Sequence, residues 1–102
     1  MHVITRKRLK GFAKDHPDAA EPLDRWYRTM RRARSQSLQD VRRVYPHADL
    51  VTVESGNVVT VFNIAGNKFR LIAAIHYNRQ RVYVLRVLTH SEYDKDAWKE
   101  TL

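Results

Sequence analysis

Hydrophobic positions in this chain change period part-way along. Up to about residue 45 they recur every three or four residues; from Leu50 they recur every two. His2 to Thr5 opens with the β-branched pair Val3 and Ile4, which predicts a short strand, with Thr5 as cap of a helix over Arg6 to Lys14. In that helix Leu9, Phe12 and Ala13 share a face, and His16-Pro17 ends it. Asp18 with Glu21 three residues on predicts the start of a second helix, in which Leu23, Trp26, Tyr27, Met30 and Ala33 face inward and Arg25, Arg28 and Arg32 line the outside. Ser37 begins a shorter helical segment carrying Leu38, Val41 and Val44, stopped by Pro46. Strands follow at Leu50 to Val53, Val58 to Ile64, Phe69 to Tyr77 and Arg81 to Leu88, with turns at Ser55-Gly56-Asn57, Ala65 to Lys68 and Asn78 to Gln80. Turns this short join neighbouring antiparallel strands, so the sheet is read as an antiparallel meander. Ser91 with Asp94 caps a last helix bearing Tyr93, Ala97, Trp98 and Leu102. The expected class is α+β, an antiparallel sheet with two N-terminal helices and a short C-terminal helix, built as one domain over residues 1–102.

Charge changes the picture more than composition does. Nineteen Lys and Arg stand against eleven Asp and Glu, a net +8. The excess is concentrated: residues 1–34 hold ten basic and four acidic side chains, and residues 58–102 hold seven and four. Most of the cations are Arg, whose planar fork suits phosphate, so nucleic acid is the favoured partner, with an acidic protein as the other class. No run approaches the roughly 18 apolar residues of a membrane span, and MHVITRKRLK lacks a signal-like apolar centre, so the expectation is a cytoplasmic chain with no membrane partner. The absence of Cys excludes thiolate zinc sites and disulfides. His2, His16, His47 and His76 have no metal-binding spacing, and there is no phosphate-cradling Gly-rich loop or nucleotide fingerprint; neither metal nor cofactor is expected.

Candidate chemistry gathers between Asn63 and Asp94. Strand alternation places Arg70, Ile72, Ala74 and His76 on one face, and Val82, Val84, Arg86, Leu88 and His90 on one face of the next strand. With a three-residue loop at Asn78 to Gln80, Arg70 lies opposite Leu88, with Arg86 and His90 beside it; a two-residue loop separates them. The clustered arrangement makes a basic hollow at the N-terminus of the last helix, where an anion is favoured. For Arg70 the competing reading is an ion pair with Asp94 or Glu92, for Arg86 an edge position reaching water, for His90 a capping role, and for Tyr93 packing on the sheet. The Arg25, Arg28 and Arg32 row is likewise either a solvated helix face or a docking surface for RNA.

The segments MHVITRKRLKGFAKDHP, VFNIAGNKFRLIAAIHY and LRVLTHSEYDK together resemble the HigB family, a branch of the RelE-like toxins of type II toxin-antitoxin pairs. The most specific parts are Asn63, Gly66-Asn67, Arg70 and Thr-His-x-x-Tyr-Asp at 89–94. The resemblance implies a compact RelE-like fold, an endoribonuclease cleaving mRNA on the ribosome, and a HigA-type helix-turn-helix antitoxin as partner. RelE-like cleavage is metal-free: the 2′-OH attacks the adjacent phosphate, which needs a base, a cation for the phosphorane and an acid for the leaving oxygen. By resemblance Arg70 supplies the charge, His90 is the acid or base, and Tyr93 orients or stacks the neighbouring base. Asn67, Lys68, Arg86 and the Arg25, Arg28 and Arg32 row are assigned to RNA binding. The chain departs from RelE in lacking its paired strand lysines, for which Lys68 is the nearest substitute. Two other readings use the same basic surface: a non-catalytic RNA- or ribosome-binding module, and DNA binding through the Arg25 to Arg32 helix, although no helix-turn-helix spacing follows it.

Overall fold

A computed structural model describes all 102 residues. The strands β1 (His2–Ile4), β2 (Asp49–Thr52), β3 (Val58–Ile64), β4 (Phe69–His76) and β5 (Arg81–Thr89) form one sheet in the order β1-β5-β4-β3-β2. The helices are α1 (Arg6–Asp15), α2 (Ala20–Arg32), α3 (Leu38–Val44) and the single turn α4 (His90–Asp94), which a 3₁₀ turn at Ala97–Thr101 follows. The α+β class and the helix–sheet order are as expected from the sequence.

Strands β2 to β5 pair antiparallel, but β1 pairs parallel with β5, so the sheet is mixed rather than a pure meander. The short-turn argument holds only for neighbours in sequence; β1 and β5 are joined by the rest of the chain, which leaves their relative direction free. Thr5 does not cap α1. It sits in the left-handed region at φ 68°, and its hydroxyl bonds both backbone groups of Val84, donating to the carbonyl at 2.8 Å and accepting from the N–H at 3.1 Å. The side chain thereby adds one more rung between β1 and β5. Asp18 does not cap either: a 3₁₀ turn at Pro17–Ala19 leads directly into α2, and the Asp18 carboxylate takes Lys68 instead.

The helices cover one face of the sheet. Leu9, Leu23, Trp26, Met30 and Val41 pack there against Phe62, Ile64, Phe69, Leu71, Ala73, Val82 and Val84. Trp26 and Tyr45 both meet the Phe62 ring edge-on at 5.4 Å. Val44, expected inward, is exposed, because the seven-residue α3 turns only Val41 fully into the core. On the opposite face Val53, Val59, Val61, Ile72 and Leu88 form a smaller cluster that the C-terminal 3₁₀ turn closes with Trp98.

One irregularity sets the face of the functional strand. At the tip of the β4–β5 hairpin His76 pairs with Arg81 and Ala73 with Val84, but beyond the bulge Ile72 pairs with Arg86 and Arg70 with Leu88. Leu85 is the extra residue. The connection is a 3₁₀ turn over Tyr77–Arg79 plus Gln80, one residue longer than expected, and Gln80 takes φ 52°. Alone, that loop would put Arg70 and Leu88 out of register; the bulge restores it. It also corrects the expected faces: Val82 and Val84 belong to the helix-side core, while Leu85 and Leu88 belong to the opposite cluster.

Candidate active site

The turn between β3 and β4 places two successive residues, Ala65 at φ 54° and Gly66 at φ 67°, in the left-handed region. This tight reversal brings Asn63 directly opposite Arg70 and holds Asn67 above the end of β4. Arg70 is 8% exposed and lies on the sheet face away from α1 and α2, between Asn67, His90 and Tyr93. Its Nη1 donates to the carbonyls of Phe69 at 3.1 Å and Asn67 at 3.2 Å, and its Nη2 donates to Asn67 Oδ1 at 3.3 Å. Nη2 also lies 3.3 Å from His90 Nδ1, and the guanidinium carbon sits 5.5 Å from the centre of the Tyr93 ring.

Every partner of this guanidinium is neutral or an imidazole. The two carboxylates within reach in sequence are committed elsewhere: Asp94 Oδ2 lies 3.0 Å from His90 Nε2, and Glu92 belongs to the cap of α4. The ion pair considered for Arg70 is therefore absent. A buried cation without a counter-ion is costly to maintain and gains from an arriving anion.

His90 is half exposed at the first position of α4. Its backbone N–H donates to the Lys68 carbonyl at 2.9 Å, tying the strand end to the turn. The ring has two hydrogen-bonding arrangements. With Nε2–H donating to Asp94, a bare Nδ1 accepts from Arg70; once Nδ1 is protonated it donates to the Asn67 carbonyl, 3.0 Å away. Both protonation states thus have partners in one ring position, which suits a group that exchanges a proton during a reaction.

The cap of α4 differs from the expected one. Thr89, not Ser91, is the N-cap: its Oγ1 accepts from the Glu92 N–H at 3.2 Å, and the Glu92 carboxylate accepts from the Thr89 N–H at 3.0 Å. That backbone hydrogen bond holds the Glu92 carboxyl below its ordinary range. The Glu92 carboxylate thus sits at the helix terminus that the sequence reading leaves to an anion, and takes the Thr89 N–H there.

Tyr93 stacks on Trp98 with ring centres 5.3 Å apart, and its carbonyl accepts from Trp98 Nε1 at 3.1 Å. Both Arg70 and Trp98 engage the ring, leaving the hydroxyl, which has no partner within the chain, as its free polar group. Arg86 shares the sheet face with Arg70 but is drawn along it, donating to the Leu85 carbonyl at 2.9 Å and to Thr101 Oγ1 at 3.4 Å. Lys68 leans the other way, its Nζ 3.1 Å from Asp18 Oδ2, and that hydrogen bond holds the Asp18 carboxyl below its usual value. Arg70, His90, Tyr93 and Asn67 are therefore brought together, whereas Lys68 and Arg86 flank them.

Sequence reasoning gave two participants a different role and missed a third. Asp94 orients His90, for which the i,i+4 spacing on a helix was the available signal. Asn67 holds Arg70 through both its side chain and its carbonyl. His47, from the loop after α3, lines an open cleft of about 460 Å³ with Asn63, Gly66 and Asn67, and no sequence pattern links it to that turn. From this cleft the surface runs towards α2. Asn63 and Arg25 border the next hollow, of about 290 Å³, and Arg25, Arg28, Thr29 and Arg32 line one of about 470 Å³ with no hydrophobic residue. Arg25 and Arg28 are paired with Glu21 and Asp24 within α2.

Comparison with known proteins gives this arrangement a context. Residues 19–96 match the family model HigB_toxin, described as the RelE-like toxic component of a toxin-antitoxin system. The chain belongs to the HigB toxin family. The mRNA interferase toxin HigB of Escherichia coli K12 is 31% identical over 92% of this chain and 88% of its own length, as is the mRNA interferase HigB of Shigella flexneri. The mRNA interferase HigB of Escherichia coli O6:H1 is 28% identical over 93% of this chain and 90% of its own. The HigB family match spans the Asn67 turn, Arg70 and the His90 to Asp94 segment, and starts after β1 and α1. No helix of this HigB-family chain is long and apolar enough to cross a membrane.

Proposed function

We propose that this chain is a single-domain, cytoplasmic mRNA interferase, the toxin of a type II pair, that cleaves ribosome-bound mRNA without a metal and is neutralised by a HigA-type helix-turn-helix antitoxin. The observation that carries the reading is the buried Arg70 guanidinium, which has no carboxylate partner and touches the imidazole of an exposed histidine.

The reaction follows from the three groups. The 2′-oxygen forms a bond to phosphorus while the bond to the 5′-oxygen breaks, leaving a 2′,3′-cyclic phosphate and a free 5′-hydroxyl. Arg70 stabilises the charge that accumulates on the phosphorane, and does so without reorganising, because Asn67 and the Phe69 carbonyl already hold it. Two protons move, one off the 2′-OH and one onto the 5′-oxygen: His90 handles one of them at Nδ1 and solvent water exchanges the other, while Asp94 steadies the ring from Nε2. Tyr93 orients the base beside the scissile bond through its hydroxyl. The strand approaches along the band from the Arg25, Arg28 and Arg32 hollow past Asn63 to Asn67, with Lys68 and Arg86 adding positive potential on either side.

The test is a cleavage assay on ribosome-bound mRNA with a 2′-deoxy substitution at the mapped cut site. Loss of cutting at that nucleotide, together with cyclic-phosphate ends on the unmodified message, is the expected outcome. Equal cutting of the deoxy message refutes attack by the 2′-OH. Parallel reactions with the same message free of ribosomes measure the ribosome requirement.

A further inference from the structure

A second basic hollow, at the opposite end of the β4–β5 hairpin from Arg70, has a different chemistry. It measures about 710 Å³ and lies between the C-terminal end of α2 and β1, with Arg31, Arg32 and Arg34 at its rim. Met1, Val3, Tyr27 and Ala33 supply its apolar floor. We propose that this hollow docks an acidic, amphipathic segment of a protein partner. The inference does not depend on the cleavage reading above.

The charge is uncommitted. None of the eight ion pairs in the molecule involves Arg31, Arg32 or Arg34, whereas Arg25 and Arg28 one and two turns earlier on the same helix are both paired. Cations in the last turn of a helix complement its dipole, and that accounts for Arg31 and Arg32 as helix-stabilising residues. It does not account for Arg34, which lies beyond the helix, or for an apolar floor beneath the three.

The floor separates protein from RNA as the occupant. The hollow lined by Arg25, Arg28, Thr29 and Arg32 has no hydrophobic residue in its lining and suits a phosphate backbone. Of the two rings in the 710 Å³ hollow that a nucleobase could stack on, Tyr27 already carries the Arg6 guanidinium, 4.1 Å from its ring centre, and His2 stands alone and exposed on β1. What remains is aliphatic surface within reach of three free guanidinium groups. Leucine-like side chains with flanking carboxylates satisfy both, through apolar burial and bidentate Arg–carboxylate bonds. Arg32, which borders both hollows, marks the boundary between the two surfaces.

The experiment is a titration of the ¹⁵N-labelled chain, followed by amide NMR, with three probes: a helical peptide of Leu on one face and Glu on the other, the same peptide with Ser for Leu, and a single-stranded RNA oligonucleotide. The Leu/Glu peptide should shift the amides of Val3, Tyr27, Ala33, Gln36 and Gln80. It should bind at least tenfold more weakly to Arg31→Glu/Arg34→Glu, and that variant should retain wild-type cleavage of ribosome-bound mRNA. Arg31→Gln/Arg34→Gln repeats the measurement with charge removed rather than reversed, should the first variant fold poorly. Equal binding of the Ser/Glu peptide reduces the effect to unspecific charge and overturns the proposal. So does the absence of shifts at these amides, or their appearance with RNA in place of peptide. Loss of cleavage in Arg70→Met with unchanged peptide binding keeps the two proposals separate.

Discussion

Arg70→Met tests the central claim, because it replaces the buried charge with a side chain of similar length and leaves the sheet packing in place. Two opposing terms follow from the geometry. The variant loses the donors to the Phe69 carbonyl and the Asn67 side chain, while the Asn67 carbonyl keeps His90 within 3.0 Å. Leaving a buried acceptor bare costs about 1–3 kcal/mol. Against this, a guanidinium that is 8% exposed and has no carboxylate beside it no longer has to be desolvated, and the effective penalty for such an ion is several kcal/mol. The second term matches or exceeds the first, so the variant should melt at or above the wild-type temperature, a gain of 1 kcal/mol raising Tm by about 4–8 °C in a domain of this size. Cleavage of ribosome-bound mRNA should fall about 10²–10³-fold, equivalent to about 2.7–4 kcal/mol of transition-state stabilisation. A non-cleavable RNA at a hundredfold excess over its Kd stabilises the wild type by about 2.7 kcal/mol, and Arg70→Met should show a smaller shift at the same concentration. Differential scanning calorimetry with and without that RNA, alongside single-turnover cleavage, measures all three quantities. A variant that melts well below the wild type yet cleaves at the wild-type rate would make Arg70 a structural residue and refute the reasoning.

His90→Gln retains a hydrogen-bonding side chain but carries no titratable proton near neutrality, so cleavage should fall at least tenfold while ribosome binding measured by co-sedimentation persists. Tyr93→Phe removes only the free hydroxyl and Tyr93→Ala also removes the contacts with Trp98 and Arg70; cleavage rates should decline in that order, and equal rates for Phe and wild type would exclude a role for the hydroxyl. Thr89→Ala deletes the α4 cap and should cost about 1 kcal/mol by thermal melting. The folded Glu92 carboxyl is held below its ordinary value of 4.5, so its contribution to stability is present above that ordinary value and is lost as pH falls through the lowered one. The stability difference between wild type and Glu92→Gln, followed by denaturant melts from pH 7 to pH 2, should therefore be largest at neutral pH and vanish at the acid end. Charge reversal at Arg25, Arg28 and Arg32 should weaken ribosome association and flatten its salt dependence, measured by co-sedimentation across a salt series.

Much of the fold was legible because periodicity reports burial directly. Leu23, Trp26 and Met30 at helical spacing, and Phe62, Ile64 and Leu71 at strand spacing, all point into the helix-side core. What failed were inferences that local sequence does not determine. Thr5 and Asp18 have side chains suited to capping, but tertiary partners, Val84 and Lys68, claimed them. The direction of β1 depends on a strand at the far end of the chain. At the site, the proximity of Arg70 and His90 followed from strand pairing, whereas their commitments did not. Whether Asp94 faces Arg70 or His90 is decided by the helical turn after Thr89, and His47 reaches the cleft only through tertiary folding. The register of Arg70 against Leu88 was expected for a reason that does not hold, since the loop is one residue longer than expected and Leu85 compensates for it.

That compensation makes the hairpin behave like a reading frame with two shifts of opposite sign. Between the turn and Leu85 the two strands are out of phase with the half that carries Arg70, and the bulge brings them back. Deleting one residue from the Tyr77–Gln80 connection shortens the loop but still lets His76 pair with Arg81, so the pairs beyond it keep their register. Deleting Leu85 removes only the unpaired position: Val84 and Arg86 then follow one another against Ala73 and Ile72, and Arg70 still faces Leu88. What breaks the frame is pairing Leu85 instead of bulging it: Val87 would then face Arg70 and Leu88 would turn to the helix side, so the bulge is what keeps Leu88 in the far cluster beside the site.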